Sequence, residues 1–333
     1  MTLPTSVEGV PEDRRGVSVG IGRAHAKAIL LGEHAVVYGA PALALPVPQL
    51  TVTAWARRSG RGAPGGVSFT SAGSPSRPMV AQASEGLRRL VAGFTALTGA
   101  DGGPHLDVAV DATIPPGRGL GSSAACARAV VRALADLHRL DLTEDETFDL
   151  VQTAENVAHG RSSGVDARTV GASAPLLFRG GEVQELSIGC DGLFVIADSG
   201  AMGRTKDAVA LLRDGFARED GARERFVRRA SRLTEEARQA LAGGRPEELG
   251  SRLTHYHDLL RGAGLSTGAV DALVDAALAA GGLGAKITGG GLGGCAIVLT
   301  RPDRAPEVVR GLHAAGAAQT WTVPLGGPAE DAL

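Results

Sequence analysis

Lysine is nearly missing from this chain: of 34 basic residues, only Lys27, Lys206 and Lys286 are not arginine. The solvated face is therefore written in arginine, and the default reading of a lysine as surface charge is weakened. An ammonium gives an anion a compact, mobile partner that a guanidinium does not reproduce, so each of the three asks for a chemical role. Cysteine is scarce too. Cys126, Cys190 and Cys295 are odd in number and lack metal-ligand spacing, so they read as buried thiols in a reducing cytoplasm and imply no zinc site. Aromatic residues make up only 3% of the chain, and the formal net charge is −2, which points to neither nucleic acid nor a membrane surface as partner. No apolar run is long enough to span a bilayer. Residues 1–16 are polar, contain proline and lack the apolar core of a signal peptide, so a disordered N-terminal segment is expected.

What remains is an ordinary globular composition, 44% apolar and 21% charged over 333 residues. That length can bury a full core and favours two domains, divided here at 17–185 and 186–333. Alternation or apolar runs predict strands near 28–31, 50–56, 105–111, 193–197, 296–299 and 319–323. Helical spacing predicts helices over 80–97, from Ser122 or Ser123 through Leu137, and from Thr143 to Gly160, where Thr143 and Glu146 match a capping box. A helix from Thr205 and amphipathic helices over 222–242, 246–261 and 266–280 follow. The Gly-, Ser-, Pro- and Arg-rich stretch 57–78 reads as a mobile loop or loose hairpin.

Between a predicted strand and a predicted helix lies Pro115-Pro116-Gly117-Arg118-Gly119-Leu120-Gly121-Ser122-Ser123-Ala124-Ala125. Glycines let backbone N–H groups converge on an anion, and a helix N-terminus adds unpaired amides and a positive dipole end. The stretch reads as a phosphate cradle, although it matches neither the Walker A nor the dinucleotide spacing. A glycine turn capped by serine is the plainer alternative. A second glycine run, Lys286-Ile287-Thr288-Gly289-Gly290-Gly291-Leu292-Gly293-Gly294-Cys295, implies close approach to another backbone or a ligand. Lys27 beside a buried strand could snorkel, and Glu33-His34 could be a satisfied polar pair. Glu155 lies at the edge of an apolar stripe, where a carboxylate is usually solvated. Asp166, eleven positions later in a polar turn, could cap the following segment. Together these parts make the kit that phosphoryl transfer needs: amides for phosphates, hydroxyl and carboxylate oxygens for a metal, and a base beside a cation.

The first glycine stretch resembles the second motif of the GHMP kinases, and the run from Lys286 to Cys295 is similar to that family's third motif. The stretch from His25-Ala26-Lys27 through Gly32-Glu33-His34-Ala35-Val36-Val37-Tyr38-Gly39 resembles the branch whose acceptor is mevalonate. So does Glu155-Asn156 through His159-Gly160 to Ser163-Gly164-Val165-Asp166. The resemblance runs in order from about residue 20 to 325. It implies an α+β, two-domain fold, with an N-terminal domain like domain 2 of ribosomal protein S5, a ferredoxin-like C-terminal domain, and the active site in the cleft between them.

The activity it implies is ATP-dependent phosphorylation of the primary (C5) hydroxyl of mevalonate, with Mg²⁺ as cofactor, in a cytoplasmic enzyme of isoprenoid biosynthesis. By the same resemblance Pro116, Gly117, Arg118, Gly119, Leu120, Gly121, Ser122 and Ser123 would wrap the ATP phosphates. Ser123 and Glu155 would hold Mg²⁺, so Ser123 changes from helix cap to metal ligand. Asp166 would take the hydroxyl proton, and Lys27 would keep it ionised. Glu33, His34, Thr205 and Gly290 would face the acceptor. Two departures limit the transfer: Arg204 stands where the family has a small hydroxyl residue, and Arg118 occupies a position that is often small and is expected to be solvated. Lys206 is expected only to decorate its helix. Rival readings are a sibling kinase acting on phosphomevalonate and a nucleotide sensor without catalysis. The arginine-rich helices between 222 and 261 could cover the core or form a homodimer interface.

Overall fold

Small residues decide how the first strand is used. In the computed structural model, which describes residues 18–60, 62–73, 76–100, 103–160, 162–189 and 191–325, the strand expected at 28–31 is the end of a single strand, β1 (Val19–Leu31). Segment 1–16 and Cys190 lie outside the described residues. Gly20 and Gly22 face inward on β1 and lie directly on the helix that follows the glycine loop, α2 (Ser122–His138). A Cβ on Gly20 would come within 2.1 Å of the Ala133 carbonyl oxygen, and one on Gly22 within 2.1 Å of that of Ala129. Ile21 N–H donates to Asp136 (2.7 Å) and Arg132 donates to the Arg23 carbonyl (2.8 Å), which ties the edges of the same contact.

The chain divides into two units that exchange segments. The first takes Met1–Ala26, Leu50–Pro116 and Gly121–Gly171; the second takes Lys27–Gln49, Gly117–Leu120 and Ala172–Leu333. In the first unit, the second half of β2 (Ala42–Ser59) pairs antiparallel with β4 (His105–Ala112), and β3 (Val67–Ser71) pairs parallel with β4. A parallel pair needs a crossover, and α1 (Ser76–Thr98) supplies it. The stretch read as a loose loop therefore holds the end of β2, all of β3 and the start of α1. Alternation sets the buried face: Val52, Ala54 and Ala56 of β2 and Val108 and Val110 of β4 are inside, with Leu87, Leu90 and Phe94 of α1. The unit is completed by α3 (Glu144–His159), which begins with the expected reciprocal Thr143–Glu146 cap, and by the short α4 (Val165–Thr169).

In the second unit the first half of β2 pairs with β5 (Leu176–Arg179), which turns through Gly180 and Gly181, both at positive φ, into β6 (Glu182–Glu185). Beyond it β7 (Gly192–Asp198), β8 (Gly284–Thr288), β9 (Cys295–Thr300) and β10 (Gln319–Leu325) form an antiparallel sheet in the order β10-β7-β9-β8. Between β7 and β8 run α5 (Thr205–Arg218), α6 (Ala222–Ala242), α7 (Pro246–Gly262) and α8 (Gly268–Ala279), and α9 (Ala305–Ala314) links β9 to β10. The order 4-1-3-2 with these crossovers is the ferredoxin-like arrangement that the sequence led us to expect. Gly250 of α7 and Gly284 of β8 touch, since a Cβ on Gly284 would sit 1.9 Å from the Gly250 oxygen. Among the described residues no helix is long and apolar enough to cross a membrane.

Because the atoms facing Gly22 are backbone atoms that cannot rotate away, Gly22→Ala is expected to cost roughly 2–3 kcal/mol. Ile21→Ala, at an exposed neighbour, is expected to change stability by less than about 0.5 kcal/mol. Urea unfolding of both variants checks this; equal midpoints would refute the close contact.

Candidate active site

The alternating glycines of the phosphate loop are required by its backbone. Gly117, Gly119 and Gly121 have φ of 71°, 77° and 72°, the left-handed region that other residues enter at a cost. Gly121 is also the N-cap of α2 and has no side chain with which to cap that helix. The first turn carries the part-exposed residues Ser122 and Ser123, and a helix N-terminus of this kind presents amides to which an anion can bind. Pro116 enters the loop, and Leu120 contributes backbone only, its side chain being buried.

Within the second unit the two glycine runs meet. The turn between β8 and β9 is the late glycine run, with Gly289, Gly291, Leu292, Gly293 and Gly294 all at positive φ. A Cβ on Gly289 would come within 2.6 Å of the Gly119 Cα, and one on Gly119 within 3.0 Å of the Gly289 Cα. The segment after β7 binds both runs: Gly203 N–H donates to the Gly117 carbonyl (2.8 Å), Arg204 N–H to that of Gly291 (3.1 Å) and Ser199 Oγ to that of Gly294 (2.7 Å).

Arg118 corrects an expectation. It is not solvated: its Nε lies 2.9 Å from an Asp198 carboxylate oxygen, and its Nη2 donates to the Gly200 carbonyl at 3.0 Å. Its charge is therefore spent on Asp198, which leaves the loop amides and a lysine as the groups that could meet an anion there. Lys27 is the lysine in question. Only 1% exposed, it donates from Nζ to the Gly119 carbonyl (3.0 Å), while its backbone N–H donates to Leu120 (3.1 Å). Snorkelling is excluded.

The oxygen-bearing residues Ser123, Glu155 and Asp166 all belong to the first unit, on the mutually packed α2, α3 and α4. Glu155 also departs from expectation, being buried (3% exposed) rather than at a solvated edge. Burial first, and the Glu155 charge second, push the Cys126 thiol of α2 up to about 12. Asp166 is half-buried in the first turn of α4. The end of α3 fixes the approach to it: Gln152 donates to the Ser162 carbonyl (3.1 Å) and hydroxyl (2.7 Å), and Ser162 N–H donates to Asn156 (3.1 Å). Gly164, at φ 82°, then turns against Phe148. A buried carboxylate on a helix packed against α2 offers the hard oxygen that a cation such as Mg²⁺ takes, with water and phosphate able to complete the shell. Among the described residues no group of three or more His, Cys, Asp or Glu could hold a metal ion.

The remaining expected acceptor residues lie in the second unit. Thr205, the first residue of α5, stands over Gly290, whose added Cβ would fall 1.9 Å from the Thr205 hydroxyl oxygen. Lys206 is exposed, as expected, and Arg204 pairs loosely with Asp207 (3.7 Å). Glu33 differs from expectation. It is 3% exposed and ion-paired with the fully buried Lys286, so it is not a free carboxylate turned to an acceptor; its second oxygen is buried without a hydrogen-bond partner. Burial pushes Glu33 up and Lys286 down, each opposed by the other's charge. His34 sits at φ 62°, with its Nε2 buried, unpartnered and close to Gly291. Burial, with the Lys286 charge second, lowers its pKa to about 4. Sequence reasoning missed the task of Lys286 although the rarity of lysine marked it, and nothing in the sequence signalled Asp198 or Tyr256.

Residues 87–171 match the family model described as GHMP kinases N terminal domain, and residues 237–318 match GHMP kinases C terminal. A protein of Thermococcus sibiricus named mevalonate kinase is 33% identical over 88% of this chain and 92% of its own. One of the same name from Pyrococcus horikoshii is 34% identical over the same shares. The crystal structure of L. major mevalonate kinase in complex with R-mevalonate superposes with a TM-score of 0.80 at 25% identity, covering 95% of this chain and 98% of that one.

With an ordinary pKa of 6.5 and a folded value of about 4, His34 is expected to stay neutral throughout the physiological range. The sign follows: its contribution to stability is complete above pH 6.5 and is lost as the pH falls through about 4. A ¹⁵N-histidine NMR titration checks this, and a His34 resonance that protonates near pH 6.5 would refute it.

Proposed function

The chain belongs to the GHMP kinase family, and from that premise we propose that it transfers the γ-phosphoryl group of ATP to the C5 hydroxyl of mevalonate. The products are 5-phosphomevalonate and ADP, a step of isoprenoid biosynthesis. The observation that carries this reading is that the likeness to relatives named mevalonate kinase extends over 88% of this chain and 92% of theirs, rather than over a nucleotide-binding half alone. We place the reaction in the cytoplasm, in keeping with the buried free thiols of Cys126 and Cys295.

In this reading the amides of 117–123 hold the ATP phosphates. Ser123 and Glu155 would hold Mg²⁺, which when bound would neutralise phosphate charge. The acceptor hydroxyl oxygen forms the new bond to phosphorus, the bond to the β–γ bridging oxygen breaks, and ADP leaves with that electron pair. Asp166 receives the hydroxyl proton. Lys27, anchored on the Gly119 carbonyl, supplies positive charge to the alkoxide that develops. His34, Thr205 and Gly290 position the acceptor, His34 as a neutral hydrogen-bonding ring.

An ATP-consumption assay across mevalonate, phosphomevalonate, galactose and homoserine tests the reading: turnover is expected with mevalonate, and preference for another acceptor would move the chain to a sibling activity. Silence on all four would favour nucleotide sensing. Asp166→Ala is expected to keep ATP binding while losing roughly 10²-fold or more in kcat. Ser123→Ala and Glu155→Gln are expected to raise the Mg²⁺ concentration needed for half-maximal rate, and an unchanged Mg²⁺ dependence in both would sink the metal assignment.

A further inference from the structure

The reaction as written gives no task to Lys286, yet this lysine is fully buried and engaged by several acceptors. It is 0% exposed, and its Nζ donates to Glu33 Oε1, to the Ile287 carbonyl and to the Ile29 carbonyl (3.4 Å). The ring of Tyr256 lies 5.6 Å from the same nitrogen, and the Tyr256 hydroxyl donates to the Glu33 carbonyl (3.0 Å). Lys286 begins the late glycine run and Glu33 begins the turn after β1, so one ion pair joins the two segments nearest His34.

That turn needs an anchor. Gly32 has φ 104° and His34 φ 62°, so the backbone changes sense twice within three residues, and a left-handed non-glycine residue is strained. Such a conformation persists only where its surroundings over-determine it. Here the Glu33 carbonyl is held by Ala35 N–H (2.8 Å) and by Tyr256, and its side chain is held by Lys286. A buried ion pair is a poor means of gaining stability, since apolar residues of similar volume commonly match or exceed it. Its retention at this position therefore calls for a task other than stability.

We propose that Glu33 and Lys286 are positioning residues, whose buried pair locks the 32–35 turn so that His34 Nε2 is held beside Gly291 and aimed at the acceptor. The proposal rests on the mevalonate reading above. It makes Glu33 act through His34 rather than through a free carboxylate.

The test uses the full chain with ¹⁵N-labelled histidine, the His34 signal being assigned by its disappearance in His34→Gln. Because Lys286→Met alone would strand a buried charge, the decisive variant is the double change Glu33→Gln/Lys286→Met, with the near-isosteric Glu33→Gln as its partner. Both are expected to shift the His34 ring resonances and to raise KM for mevalonate tenfold or more, with KM for ATP changed less than twofold. The double variant is expected to recover most of the thermal stability lost in Lys286→Met without recovering KM. Wild-type kinetics with an unmoved His34 signal in either folded variant would overturn the proposal, as would equal increases in both KM values. If the wild-type chain does not phosphorylate mevalonate, the functional reading fails instead, and the His34 signal still reports whether the pair positions the ring.

Discussion

The structure depends on two stretches of backbone that touch with no side chain between them. Gly119 of the phosphate loop and Gly289 of the β8–β9 turn lie so close that a single methyl on either would collide with the other's main chain. That contact, with the 199–204 segment hydrogen-bonded to both runs, gives the loop a fixed shape before any ligand arrives. Each glycine lost its entropy during folding, so a ligand bound at this loop would not have to supply that ordering. The carbonyl that Lys27 grips belongs to the same braced loop.

Around this contact, charge is handled unusually. Two of the three lysines are buried and hold carbonyl oxygens, while the arginines face solvent or pair with carboxylates. Arg118 is instructive. A guanidinium inside a phosphate loop looks like a phosphate ligand, yet Asp198 and Gly200 engage two of its nitrogens and convert it into a brace between the loop and the end of β7.

How much of this could be read from the residues depends on the range of the forces involved. Local signals served well: Thr143 and Glu146 form the reciprocal cap that their spacing implied. The ferredoxin-like order was expected from the family resemblance alone. Short elements were missed, including β5, β6, β8, α4 and α9. β3 was hidden because three of its five residues are Ser or Thr and none is buried. The candidate site was legible as a set of residue types, since glycine runs and rare lysines are visible in one dimension. Which partner each group had chosen was not legible. Glu155 is buried on α3, which packs against α1 and α2, and Glu33 meets Lys286 across 253 residues of sequence. Such pairings are made by tertiary structure alone.

Helix α2 starts at Gly121, which has no side chain with which to cap its first turn. Ser, Thr, Asp or Asn is preferred at such a position, and glycine there instead costs only about a few tenths of a kcal/mol. A phosphate seated there would give those amides further acceptors, and a ligand that bound the folded helix alone would raise the chain's resistance to unfolding by mass action.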